Sequence, residues 1–155
     1  MATSSPTMRK ASATVPLISR ILLLYFEPIF ALGGAIMVLT KPDNYLHTVT
    51  RGLVPTLGPQ NDFVWTTVAG GWLYFAFTEG VVLRLVDDVR VWRLLCMGML
   101  LSDLAYTHSV AQALGGWDVW LKVWEWTSED WVVTITTWPF VLARVGIALG
   151  LGFRG

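Results

Sequence analysis

Residues 21–39 read ILLLYFEPIFALGGAIMVL, an apolar run that carries a carboxylate and a proline side by side at Glu27-Pro28. A chain that only had to cross lipid would avoid both. A charged side chain deep in a bilayer costs about 2.5–3.5 kcal/mol on insertion scales, and proline removes an amide donor from the helix ladder. The run has company along the chain. Of 155 residues, 54% are hydrophobic and 14% charged, and the mean hydropathy is +0.56. A soluble domain so apolar would expose aggregating patches. The composition therefore places the chain in a membrane.

Composition also excludes several classes. The formal net charge is zero, whereas nucleic-acid binding needs a basic stripe. Cys96 is the single cysteine, so no intrachain disulfide can form, and no Cys/His spacing points to a metal site. No cofactor is expected.

Crossing about 30 Å of hydrocarbon takes roughly 20 helical residues. Four segments meet that length, at 17–39, 64–86, 91–114 and 131–151. Their apolar residues go all the way round, as lipid-facing helices require. The expected fold is all-α, an integral membrane four-helix bundle over residues 17–155, preceded by a disordered cytosolic tail at 1–16. The first segment has basic residues upstream, as a signal peptide does, but Glu27-Pro28 interrupts its core and the hydrophobicity runs on to Leu39, so it is read as a retained span. Arg9, Lys10, Arg20, Arg84, Arg90, Arg93 and Arg154 fall on one side of these spans, and Lys41, Arg51 and Lys122 on the other. The positive-inside rule then puts both termini in the cytosol.

The connections differ in character. The first, residues 40–62, is long and rich in Pro and Gly, and is expected to fold over one mouth of the bundle. The second, DDVR, is tight and predicts that spans two and three pack as antiparallel neighbours. Between spans three and four, Trp117, Trp120 and Trp124 recur at i, i+3 and i+7, with Asp118, Lys122 and Glu125 opposite. That pattern predicts a short Trp-rich helix lying in the membrane interface, or alternatively an aromatic lid over a pocket. Gly70-Gly71 is read as a site of close helix approach.

Glu27, Glu79, Asp103 and Arg144 sit too deep in the spans to reach water. Counted from the cytosolic ends, Glu27 lies about 15 Å in, Asp103 about 18 Å, and Glu79 and Arg144 roughly 10 Å, within one slab about 8 Å thick. Facing inward, they form a single polar cluster. Three carboxylates and one guanidinium cannot all be ionised in a low-dielectric core without two uncompensated negative charges. At least one carboxyl therefore keeps its proton beside a carboxylate held ionised by Arg144, the pairing that acid–base catalysis needs. The candidate catalytic residues are Glu27, Glu79 and Asp103. Glu27 or Asp103 is the donor and Glu79 the first choice of base. Arg144, Tyr25, Tyr106 and His108 are candidates for charge stabilisation or substrate binding, Tyr106 because it shares a face with Asp103 and Thr107. Tyr74 is a further possible donor. An ion cluster that only holds helices together is the bland alternative.

The residues LLYFEP in span one, TEG and LR in span two, VWRLL leading to SD in span three, and Arg144 in a last span ending GLGF resemble a fungal family of small four-span membrane proteins. That family is similar to the small membrane hydrolases and cyclases of fungal polyketide pathways of the citreoviridin and aurovertin type. The resemblance implies opening of an epoxide by water or an internal hydroxyl, on a lipophilic substrate, at the endoplasmic reticulum. Four-span sterol isomerases and the integral-membrane terpene cyclases of fungi bear a looser likeness. Bilayer lipid and a lipophilic small molecule are the expected partners; the oligomeric state stays open.

Overall fold

A computed structural model of the chain describes residues 9–153, so expectations for residues 1–8 and Arg154 lie outside it. Hydropathy dictates the long elements. We number the helices α1 (Ala11–Thr14), α2 (Leu17–Thr40), α3 (Pro42–Thr50), α4 (62–85), α5 (Val89–Ala113), α6 (Trp117–Trp120) and α7 (Ser128–Leu149). No strand occurs among the described residues. Three helices, α2, α5 and α7, are long and apolar enough to cross a membrane. The fourth long helix, α4, matches them in length but is diluted by Trp65, Gly70, Gly71, Trp72, Tyr74 and Glu79.

Two of these helices widen into π turns, at Leu22–Phe26 in α2 and Thr78–Val82 in α4. Proline explains the first. Pro28 has no amide to offer the Leu24 carbonyl, and the ladder shifts so that the Glu27 amide bonds the carbonyl of Leu22. The orphaned Leu24 carbonyl accepts instead from Arg84 Nη2. The two π turns pack on each other, and a Cβ at Gly80 would stand 3.4 Å from the Pro28 ring. The Glu-Pro and Glu-Gly steps thus fit together as a pair.

α2 packs chiefly on α4, and α5 on α7. This corrects the expectation that spans two and three are the close neighbours. The tight bend at Val86–Asp88 joins two helix pairs rather than forming one. The pairs meet at both ends. At one, the start of α2 and its π turn touch α7. At the other, α3 packs against α2, α5 and α7. α3 ends in the left-handed residue Arg51, φ 51°, whose guanidinium holds Asp130 at the start of α7, 2.8 Å from Nη2 to Oδ2. The first connection thus folds back over one end of the bundle.

Three local expectations need revision. Part of the expected tail is ordered, because Ala11 and Val15 are buried and Asp87 accepts from the Ser12 amide (2.6 Å) and hydroxyl (2.7 Å). Gly70 and Gly71 make no close approach; a Cβ on either would meet nothing within 4 Å. The close approach is at Gly34, where a Cβ would stand 2.7 Å from the Trp72 ring. The Trp-rich segment is not one helix. It breaks at Lys122 into α6 and a 3₁₀ turn at Val123–Glu125. Trp120 contacts Trp117, Trp126 and Trp138 at ring-centroid distances of 5.5, 5.8 and 6.1 Å, while Trp124 is left 81% exposed.

Candidate functional site

Arg144 reaches from α7 into the place where both helix pairs converge. Its Nη1 donates to Asp103 Oδ2 of α5 at 2.6 Å. Its Nη2 donates to Glu79 Oε1 of α4 at 3.0 Å and also to Glu27 Oε1 of α2. The planar fork makes this possible, since a guanidinium presents several donors in fixed directions. The Phe75 ring covers one face of the guanidinium at 4.8 Å. All four charged residues are buried, with Glu79 and Arg144 fully enclosed. The π turns contribute directly, placing Glu79 within one and Glu27 at the end of the other.

One positive and three acidic groups share this volume. Glu27 Oε1 and Glu79 Oε1 converge on the same Nη2 atom, while Glu27 Oε2 and Glu79 Oε2 are buried without a hydrogen-bond partner. The point among three carboxyls where a cation would sit is filled by the guanidinium.

Above the cluster the two helix pairs stand apart, leaving a cleft of about 750 Å³. Its walls are apolar, formed by Phe30, Met37, Val68, Trp72, Val133 and Phe140 among others, and α3 roofs it with Tyr45, Thr48 and Val49. Glu27 and Asp103 line the cleft, whereas Glu79 and Arg144 do not. Ile29, Ser102, Ala105 and Thr136 line it and are also exposed at the surface, so the cleft opens sideways between the pairs. The cluster is therefore layered, with two acids at the cavity and an acid and a guanidinium sealed behind them.

A family defined by a domain of unknown function (DUF7704) matches residues 12–154. The chain belongs to the DUF7704 family. The matched region takes in all four long helices, the cluster and the cleft. No curated protein and no solved structure matches the chain.

Within this DUF7704 domain the candidate residues divide. Glu27, Glu79, Asp103 and Arg144 come together. Tyr106 lines the cleft one turn from Asp103. Tyr25 does not join them. It is 56% exposed and lies under the Arg84 guanidinium, 4.6 Å from its ring. Tyr74 is likewise exposed. His108 also faces away, accepting at Nδ1 from Trp117 Nε1 at 3.0 Å and stacking on that ring. Spacing accounts for both. Positions i and i+2 do not share a helix face, so Tyr25 cannot point with Glu27, and His108 at i+5 lies off the Asp103 face. Sequence reading missed Tyr45 and Trp72, which come from a connecting helix and from a long helix with no polar periodicity.

Proposed function

We propose that this chain is a membrane enzyme that opens an epoxide on a lipophilic substrate by acid–base chemistry, giving hydrolysis or cyclisation. The single observation that carries it is the exposure of Glu27 and Asp103 to an apolar, sideways-open cleft while Glu79 and Arg144 are sealed behind. A protonated carboxyl, Glu27 as first choice, donates its proton to the epoxide oxygen as a C–O bond breaks. Water or a hydroxyl of the substrate forms the new C–O bond and gives its proton to Asp103. No oxidant or reductant is needed. Arg144 holds Asp103 ionised, and Glu79 shares a proton with Glu27, so both act as positioning residues rather than touching substrate. A water-poor cleft keeps a cationic transition state from stray solvent.

In this reading α4 is a fourth span, both termini face the cytosol, and the tryptophans of 117–131 sit at the opposite headgroup layer. Membranes of the endoplasmic reticulum and a polyketide-type substrate of fungal specialised metabolism are drawn from the family resemblance of the short motifs. The test is turnover of long-chain epoxides by purified wild type, Glu27→Gln and Asp103→Asn. Loss of about a hundredfold or more in each variant is expected, with unchanged membrane abundance. Full turnover in both variants would sink the assignment.

One observation favours a second reading. Every carboxyl of the cluster bonds Arg144, as a non-catalytic scaffold would require of a device that only fixes helices. That case predicts lower abundance for the same variants and no product in any chain.

A further inference from the structure

We propose that the hydroxyls of Tyr45, Tyr106 and Thr137 form a second polar subsite of the cleft, which receives an uncharged oxygen acceptor, such as an ether or carbonyl, on the ligand. This rests on the reading of the cleft as a ligand site. The three residues come from α3, α5 and α7, and all line the cavity. Tyr106 interacts with both Tyr45 and Thr137. Three hydroxyls carry three protons, and the two contacts among them can take up only two. One O–H therefore remains to be donated, whichever way the contacts run.

Four other hydroxyls of the cleft are already committed. Thr48, Thr67, Ser109 and Thr136 each donate to a carbonyl of their own helix, at 2.9, 3.1, 2.8 and 2.7 Å. The triad is different because its members come from three separate helices and interact with one another. Tyr45 is held in place by edge-on contacts to Trp65 and Trp72, at 6.0 and 5.3 Å between ring centroids. A donor fixed before binding loses little freedom when it is used.

Charge selects the acceptor. Arg144 lies seven residues from Thr137 along α7, or about 10 Å of rise, and its bonds go to the carboxyls. With no cation beside the triad among the described residues, a carboxylate or phosphate has nothing to neutralise it, whereas an ether or carbonyl oxygen needs only the spare donor. Tyr106 lies one turn, about 4.5 Å, above Asp103. The ligand should then carry its acceptor roughly 5–10 Å from the group that meets the acids.

The experiment uses the full-length protein in nanodiscs and two probes, a long-chain terminal epoxide and the same molecule with one mid-chain methylene replaced by an ether oxygen. Binding is read by isothermal titration. Wild type is expected to favour the ether probe by about three- to tenfold. Tyr106→Phe should abolish that preference while affinity for the ether-free probe stays within about twofold. Tyr45→Phe and Thr137→Val should each reduce it. Equal affinity for the two probes in wild type overturns the subsite, as does a preference that survives all three substitutions. Failure of either probe to bind overturns both the subsite and the ligand cleft. A preference in wild type that opens neither epoxide supports the subsite and counts against the enzymatic assignment alone.

Discussion

Arg144→Met removes the guanidinium through which α7 holds an acid of each of α2, α4 and α5. The guanidinium makes three charge-assisted hydrogen bonds, to Glu27, Glu79 and Asp103, and both it and Glu79 are fully enclosed. Methionine fills similar volume and leaves the carboxyls facing one another. Three such bonds at about 1.5–3 kcal/mol each would sum higher, but the carboxyls can relieve their repulsion by taking up protons. Breaking a buried ion pair by removing one partner costs about 3–5 kcal/mol, which is the expected destabilisation. For a chain of this size each kcal/mol shifts Tm by about 2–4 °C, so Tm should fall by roughly 6–20 °C. The fall is read from tryptophan fluorescence of detergent-solubilised protein on heating, alongside membrane abundance. Arg144→Lys should fall between, since an ammonium cannot span three carboxyls in fixed directions. Adding Glu27→Gln, Glu79→Gln and Asp103→Asn to Arg144→Met should restore most of the loss, because the penalty is unpaired charge. An Arg144→Met protein that melts within about 1 °C of wild type would refute the cluster as the joint between the helix pairs.

Two further outcomes concern polar contacts outside the cluster. Arg84→Leu strips the Leu24 carbonyl of its donor at the π turn and should destabilise by about 1–3 kcal/mol, seen as faster amide exchange over residues 22–26; an exchange pattern like that of wild type would mean water replaces the arginine. At Asp87, hydrogen bonds from the Ser12 backbone and side chain hold the carboxyl below its ordinary value of 3.8. Its stabilising contribution is therefore complete above that ordinary value and is lost as pH falls through the lower folded value. Proteolysis at residues 9–15 should stay slow in wild type down to that acid range, while Asp87→Ala should be cut readily at neutral pH.

Much of the site could be read from sequence because depth in an apolar helix is a one-dimensional quantity. Glu27, Glu79, Asp103 and Arg144 stood out as charges that could not snorkel, and counting residues put them at similar heights. The helix limits were legible for the same reason, each observed within a few residues of the hydropathy pattern. Facing was harder. Helices that are apolar on every side carry no periodicity to say which face turns inward, and the π turns at Leu22–Phe26 and Thr78–Val82 rotate the helical residues beyond them. Pairing was illegible too. The short DDVR bend restricts where α4 ends and α5 begins but does not oblige them to pack along their length. The break at Lys122 gave no signal of its own, since Trp and charge spacing alone continued smoothly through it.

The cleft is fastened at both ends and open along its side, with acids at its foot and α3 as its ceiling. Along α2 its lining extends from Glu27 to Met37, ten helical steps and about 15 Å. Such a geometry is a ruler. A molecule with its reactive group at the foot can lay only that much of itself upright; anything longer must turn out through the side opening and remain among lipid tails. Under the proposed function, length beyond the ceiling would add partitioning into the bilayer rather than contacts with the protein, so occupancy would track the mole fraction of the molecule in the membrane and not its concentration in water.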